Sequence, residues 1–145
     1  MIRLAVDTDR KDMVILAKEF IKQGPEFFEF NREYLENTID FCINNEDGLA
    51  VVYETNGVVA GMLLAMCSMH PMFGYLHTTE LCWYVKEGMR GSFSSVKLLK
   101  AFVEWSEFKK AEYMIVSSVR CVKDLESFYI KLGFTPAENT YFRKV

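Results

Sequence analysis

Two segments in the first half of the chain carry apolar residues at intervals of three and four, the spacing of one face of an α-helix. Gln23-Gly24-Pro25 ends the first segment, and the side chain of Asn31 can cap the second. We therefore predict two amphipathic helices behind a short edge strand at residues 2–6. The predicted inner faces are Met13, Leu16, Ala17, Phe20 and Ile21 in the first helix and Leu35, Thr38, Ile39 and Cys42 in the second.

Three β-rich runs follow, at residues 48–55, 58–68 and 76–85. Asn56-Gly57 joins the first two runs, and such a pair favours a tight hairpin because both turn positions need a positive φ angle. The pattern therefore predicts a hairpin and, after a loop at residues 69–75, a third strand.

The second half of the chain alternates helix and strand patterns. Residues 95–109 hold two apolar stripes, which predicts a helix packed on more than one side. The continuous apolar run at residues 113–117 predicts an interior strand covered on both faces, joined to the preceding strand by a right-handed crossover. Residues 124–132 predict a helix stopped by Gly133, and residues 141–145 predict a closing strand. The two stripes are Val96, Leu99, Phe102 and Val103, and Leu98, Trp105 and Phe108.

The predicted element order is β-α-α-β-β-β-α-β-α-β, an α/β fold with a mixed sheet in a single domain of residues 1–145. The length of 145 residues allows roughly two-thirds of the unfolded chain's surface to be buried. A composition that is 50% hydrophobic and 26% charged is typical of a globular protein.

Composition also excludes several classes of protein. No apolar run reaches the roughly 18 residues that a membrane span needs, and the first residues become acidic too early for a secretory signal, so we expect a cytoplasmic protein with no membrane partner. The four cysteines form no C-x-x-C pair, and His70 and His77 are the two histidines. We therefore expect reduced, buried thiols and no metal site.

Charge is distributed unevenly along the chain. Residues 1–85 carry 6 Lys/Arg and 13 Asp/Glu, whereas residues 86–145 carry 11 and 7. A net charge of -3 without a Lys/Arg cluster argues against a nucleic acid partner. The two parts can face different ligands, although ordinary solvated surface charge explains the asymmetry equally well.

Residues 89–99, MRGSFSSVKLL, read as a polar loop followed by the start of an apolar helix. Unpaired N–H groups and the positive end of the helix dipole favour an anion there, and the serine hydroxyls can add donors. The segment lacks the Gly-Lys-Ser/Thr of a Walker loop and the three glycines of a dinucleotide fingerprint. On this pattern alone, a phosphate site and a plain turn both remain open.

Residues 85–99, VKEGMRGSFSSVKLL, resemble the acetyl-CoA motif of the GCN5-related N-acetyltransferases (GNAT), V-x-P-x-x-R-G-x-G-x-G-x-x-L-L. A second segment, FYIKLGF at residues 128–134, is similar to the family's closing Y-x-K-x-G-F motif. The loop departs from the pattern where Phe93 and Ser95 replace glycines, and Val122 replaces a frequent asparagine. The residues that match the first motif are Val85, Arg90, Gly91, Leu98 and Leu99.

The resemblance implies a GNAT fold whose sheet is splayed between its fourth and fifth strands, with the pantetheine arm of acetyl-CoA in the gap. The fourth strand would bind the pantetheine amides through its backbone, and the following loop would bind the pyrophosphate. The implied cofactor-binding residues are Trp83, Tyr84 and Val85 in the strand and Arg90, Gly91, Ser92, Phe93, Ser94 and Ser95 in the loop.

The resemblance also implies two catalytic roles. Tyr129 matches the family's general acid, which protonates the leaving sulfur, and Glu80 is our candidate base because it interrupts an apolar strand near the gap. A base acting through a relayed water is an alternative. On an unbroken strand Glu80 shares a face with Cys82 and Tyr84, and His77 lies on the other face, which disfavours Cys82 as a nucleophile; a bulge would change this parity.

The implied function is direct transfer of an acetyl group from acetyl-CoA to a primary amine. The acceptor site would lie between residues 24–31 and the loop at residues 68–76, where acidic and aromatic residues suit a cationic amine. Because the loop is degenerate, the alternative is a catalytically inactive GNAT-like binding or structural module. Many relatives form homodimers, but nothing in the sequence identifies an interface. The residues of the acceptor region are Glu26, Phe27, Phe28, Glu29, Phe30 and Phe73.

Overall fold

A computed structural model of the chain describes residues 1–26, 28–90, 93–119 and 125–145. Short 3₁₀ turns at Asp7–Asp9 and Glu87–Met89 precede the first and third helices. The strands are β1 (Ile2–Leu4), β2 (Gly48–Thr55), β3 (Val58–Met69), β4 (Leu76–Val85) and β5 (Tyr113–Ile115), and the helices are α1 (Arg10–Gln23), α2 (Arg32–Asn44), α3 (Ser94–Phe108) and α4 (Glu126–Lys131).

The five strands form one sheet in the order β1-β2-β3-β4-β5. The first four strands are antiparallel to their neighbours, and β5 is parallel to β4, which makes the sheet mixed as expected. Asn56 and Gly57 both have positive φ angles, 51° and 74°, so the predicted hairpin is confirmed. The Asn31 side chain accepts a hydrogen bond from the Tyr34 N–H at 3.2 Å, which confirms the predicted cap of α2.

Each face of the sheet has its own hydrophobic core. Successive residues of β3 alternate between the two cores, because neighbouring side chains of a strand point to opposite faces. Thus Met62 and Leu64 pack with α1 and α2, and Leu63 and Ala65 pack with α3 and Tyr129 of α4. This alternation explains why β3 is apolar throughout its centre.

Helix α3 is buried on one side, so the prediction of two packed sides is wrong. Val96 is 43% exposed and Phe108 is 80% exposed, because no described element covers them. The buried stripe consists of Ser94, Leu98, Leu99, Phe102 and Ser106.

Two strand predictions in the second half also differ from the structure. In the described sheet β5 is an edge strand and not an interior one, and Tyr113 is 58% exposed. Residues 141–145 form no strand; Phe142 instead packs edge-on against Phe28, and Lys144 pairs with Glu29 at 3.3 Å. Strand formation depends on a neighbouring strand more than on β propensity, and these contacts hold the segment over the α1–α2 link.

The thiols of Cys42, Cys67 and Cys82 are free and buried, as predicted, whereas Cys121 lies outside the described residues. Within the described part of the chain, none of the helices has the length and apolarity required to cross a membrane. The same residues hold no cluster of three or more His, Cys, Asp or Glu that could bind a metal ion.

Candidate active site

Strands β4 and β5 separate after a short paired region. The ladder runs from His77 opposite Tyr113 to Thr79 opposite Ile115, whereas β4 stays paired with β3 as far as Val85. The described part of β5 therefore leaves one edge of β4 uncovered from Glu80 onward. This is the splayed sheet that the resemblance implied, and it also explains why β5 ends before Ser117.

A β-bulge at Leu81 decides which way the side chains of β4 point. Cys82 lies opposite Leu64 and Glu80 lies opposite Ala65, so Leu81 has no counterpart in β3. Residues directly opposite each other on antiparallel strands share a face, which places Glu80 on the α3 side and Cys82 on the α1 side. The expectation that Glu80, Cys82 and Tyr84 share a face, made for an unbroken strand, is therefore wrong.

The backbone of Ser117 hydrogen-bonds to both predicted catalytic residues. The Tyr129 hydroxyl donates to the Ser117 carbonyl at 3.0 Å, and the Ser117 N–H donates to a Glu80 carboxylate oxygen at 3.5 Å. Ser117 lies just beyond the end of β5, where the two strands diverge. Nothing in the sequence marked Ser117, because its contribution comes from its backbone.

Burial shifts the pKa values of both side chains. Burial raises the pKa of Glu80 from 4.5 to about 7, and the Ser117 N–H opposes this rise only in part. Burial and the nearby Glu80 carboxylate both raise the pKa of the Tyr129 hydroxyl above its usual value. Near neutral pH the pair thus contains a carboxyl group that readily gains or loses a proton and a phenol that keeps its own.

The uncovered edge of β4 presents backbone groups and an aromatic wall. The Lys86 N–H donates to Ala60 of β3 at 2.9 Å, and strand alternation then turns the backbone groups of Trp83 and Val85 away from β3, toward the gap. The Trp83 ring packs against the rings of Phe128 and Tyr129, with centroids 6.1 and 6.3 Å apart.

Tyr84 differs from Trp83 and Val85, because the alternation of backbone direction along β4 turns the Tyr84 backbone toward β3. Its side chain is buried on the α1 side of the sheet, where its hydroxyl contacts Gln23 at 3.0 Å. The structure therefore does not bring Tyr84 to the gap with the other predicted residues of the strand.

The loop after β4 is described only in part, because Gly91 and Ser92 lie outside the described residues. Arg90 donates from Nε to the Val85 carbonyl at 2.8 Å, and its guanidinium lies 5.2 Å from the centre of the Tyr84 ring. Phe93 precedes α3 and is 80% exposed. Ser94 is buried and Ser95 is half-buried in the first turn of the helix.

His77 lies on the same face of β4 as Cys82, which corrects the parity expected for an unbroken strand. They lie five positions apart, however, which is roughly 15 Å along a strand. Burial raises the pKa of the Cys82 thiol far above its usual value. His77 is therefore too far from Cys82 to act as its base, and the buried thiol provides no accessible thiolate.

No protein-family model matches the sequence, and no curated protein matches it. Solved structures do match along nearly the whole chain. A predicted acetyltransferase from Clostridium acetobutylicum, crystallised with acetyl-CoA, has a TM-score of 0.80 at 15% identity over 99% of this chain and 95% of its own. Glucosamine-6-phosphate N-acetyltransferase from Arabidopsis thaliana has a TM-score of 0.74 at 17% identity over 99% and 97%.

A structure described as a transcriptional regulator from Bacillus halodurans has a TM-score of 0.79 at 14% identity over 100% of this chain and 99% of its own. At such low identities a structural match shows the fold alone, because proteins of one fold can differ in activity. The splayed mixed sheet, the helix order and these structural matches agree: the chain has the fold of the GCN5-related N-acetyltransferases.

Proposed function

We propose that this chain is an acyl-CoA-dependent N-acetyltransferase that moves an acetyl group from acetyl-CoA directly to a primary amine. The observation that carries the proposal is that Glu80 and Tyr129 both hydrogen-bond to the backbone of Ser117, where β4 and β5 separate. Acetyl transfer requires an amine that has lost its proton and a leaving thiolate that gains one. A carboxyl group and a phenol at one opening suit these two tasks.

The residues at the gap suit an acyl-CoA as substrate. The backbone of Trp83 and the Val85 N–H on the uncovered edge of β4 can pair with the amides of a pantetheine arm, as a neighbouring strand would, whereas the Val85 carbonyl already accepts from Arg90. The partial positive charge at the start of α3 and the charge of the Arg90 guanidinium can bind the diphosphate. The GNAT fold and the match to a structure with acetyl-CoA support this assignment.

Glu80 is the proposed base, acting directly or through a water molecule. A carboxyl group with a pKa of about 7 is partly ionised at neutral pH, so it can accept a proton from the attacking amine. Tyr129 is the proposed acid, because its raised pKa keeps the hydroxyl protonated. Burial in the same gap also raises the basicity of a leaving thiolate, which favours transfer of the phenolic proton to it.

We further propose a cationic amine as the acceptor. The α1–α2 link carries Glu26 and Glu29 beside the aromatic rings of Phe28 and Phe30. Lys144 already pairs with Glu29 at 3.3 Å, and Lys18 lies over the Phe30 ring at 5.5 Å, so this region accommodates cationic groups in the folded chain.

Thermal unfolding with and without acetyl-CoA tests the first step of the proposal. At about 100 times its dissociation constant the ligand should add about 2.7 kcal/mol to the free energy of unfolding, and the melting temperature should rise by roughly 5–10 °C. ADP is the matched control, because it shares the adenine and diphosphate but lacks the pantetheine arm; its shift should be much smaller. No shift with any acyl-CoA contradicts the proposal.

Thiol release from acetyl-CoA with a panel of amines tests the second step. The panel should include a polyamine, an amino sugar and a lysine-containing peptide, each compared with its N-blocked form. Binding of acetyl-CoA without thiol release in any of these reactions would favour a binding module over an enzyme.

A further inference from the structure

Gln23 joins the end of α1 to the end of β4. It is the last residue of the helix, which ends where Gly24 becomes extended and its N–H bonds to the Ile21 carbonyl. The Gln23 side chain is half-buried and contacts Tyr84, which is 61 residues further along the chain. The sequence pattern predicts no role for Gln23 beyond ending the helix.

The orientation of the Gln23 amide follows from its partners. The Arg90 guanidinium can only donate hydrogen bonds, so the atom that it meets at 3.0 Å must be the carbonyl oxygen, Oε1. The amide nitrogen, Nε2, then donates to the Tyr84 hydroxyl at 3.0 Å. That hydroxyl is left free to donate its own proton to Glu19 at 3.4 Å.

Three contacts consequently hold the Arg90 side chain in place. Its Nε donates to the Val85 carbonyl at 2.8 Å, its Nη2 donates to Gln23, and its guanidinium lies 5.2 Å from the centre of the Tyr84 ring. The first two contacts engage two of the five N–H donors that a guanidinium carries. Arg90 is nevertheless exposed to solvent, so donors on its outer side remain accessible.

We propose that Gln23 is a positioning residue of the acyl-CoA site: it holds the Arg90 guanidinium at the end of β4 in readiness for the diphosphate. This inference rests on the proposed function. Arginine has many rotamers, so ordering its side chain costs conformational entropy. If the side chain is already ordered before the ligand arrives, that entropy is not lost on binding. Because Gln23 also borders the α1–α2 link, the same contact connects the acyl-CoA site to the proposed acceptor region.

The test is a double-mutant cycle on binding of acetyl-CoA, measured by isothermal titration calorimetry. Gln23→Ala should weaken binding about fivefold to tenfold, since Arg90 then has to be ordered on binding. Arg90→Ala should weaken it by at least as much. In the double variant the loss should match that of Arg90→Ala alone within about twofold, because Gln23 acts through Arg90.

A second ligand separates positioning from a general structural role. S-acetylpantetheine contains the thioester and the arm but no diphosphate, so Gln23→Ala should bind it as well as the parent does. Tyr84→Phe removes the hydroxyl that accepts a hydrogen bond from the Gln23 amide nitrogen, and it should weaken binding of acetyl-CoA about twofold to threefold. The Tyr84→Phe variant keeps the proposal testable if Gln23→Ala does not fold. Lys22→Ala, at the exposed neighbouring position, is the matched control and should have no effect.

Three results would overturn the positioning role: unchanged binding in Gln23→Ala, independent losses that multiply in the double variant, or equal losses with S-acetylpantetheine. In each case the parent still binds acetyl-CoA, and the proposed function stands. If the parent itself binds no acyl-CoA, both proposals fail together, and the two kinds of failure are therefore distinguishable.

Discussion

The two faces of β4 use buried ionisable groups differently. On the α1 side, Cys82 lies in an apolar core, and burial keeps its thiol protonated at any ordinary pH. On the α3 side, two residues away, Glu80 lies where the sheet opens, and its pKa rises only to about 7. Burial raises both pKa values, but a thiol starts from 9.0 and becomes inert, whereas a carboxyl starts from 4.5 and comes close to neutral pH, with the Ser117 N–H limiting the rise.

The largest effect should come from Tyr129 on the open face. Tyr129→Phe removes the proposed acid while keeping the ring that packs in the core. We expect turnover to fall by on the order of 10²-fold or more, because proton donation to the leaving sulfur is lost. Steady-state thiol release measures the effect, and acetyl-CoA binding in the same variant shows that the site remains formed. A variant as active as the parent would remove Tyr129 from the mechanism.

Glu80 should produce a smaller effect that depends on pH. The parent's kcat/KM should rise as pH increases through about 7, because the carboxyl group must lose its proton to act as a base. Glu80→Gln should lack that rise, so the ratio of parent to variant activity should grow from pH 6 to pH 8 and reach about 10-fold to 100-fold. A constant ratio over this range would exclude Glu80 as the base.

The stability of Glu80→Gln should change in the opposite direction from its activity. The folded state raises the carboxyl pKa from 4.5 to about 7, so it binds a proton more tightly than the unfolded state. The contribution of Glu80 to the parent's free energy of unfolding is therefore highest below about pH 4.5 and decreases as pH rises to 7. Above pH 7 the variant should be more stable than the parent by up to about 3 kcal/mol, and near pH 4 the two should agree. Urea denaturation at both pH values measures this difference.

The smallest effect on activity should come from Cys82 on the packed face. Cys82→Ala should lower the free energy of unfolding by about 1 kcal/mol, because a small buried group is lost, and should leave turnover within about twofold of the parent. Denaturant unfolding and thiol release measure the two quantities. A tenfold loss of turnover in a stably folded variant would show that the two faces are not functionally separate.

Local signals predicted the elements that depend on a few neighbouring residues. The bounds of β4 at residues 76–85, the Asn56-Gly57 hairpin and the Asn31 cap are all as expected. Predictions failed where the outcome depends on distant partners. Residues 141–145 have the composition of a strand but pack on the α1–α2 link, and Phe108 remains exposed although it continues an apolar stripe.

The sequence by itself determined the order of helices and strands up to α4, the GNAT-like motifs and the identities of Glu80 and Tyr129 as candidates. Only the tertiary structure decided that these two side chains hydrogen-bond to the backbone of the same residue, Ser117. An added residue at Leu81 turns Glu80 to the α3 side, and the divergence of β5 leaves the Ser117 N–H for Glu80 and the Ser117 carbonyl for Tyr129. The physical reason is that strand parity and backbone position depend on pairing with distant strands, which local residue patterns do not encode.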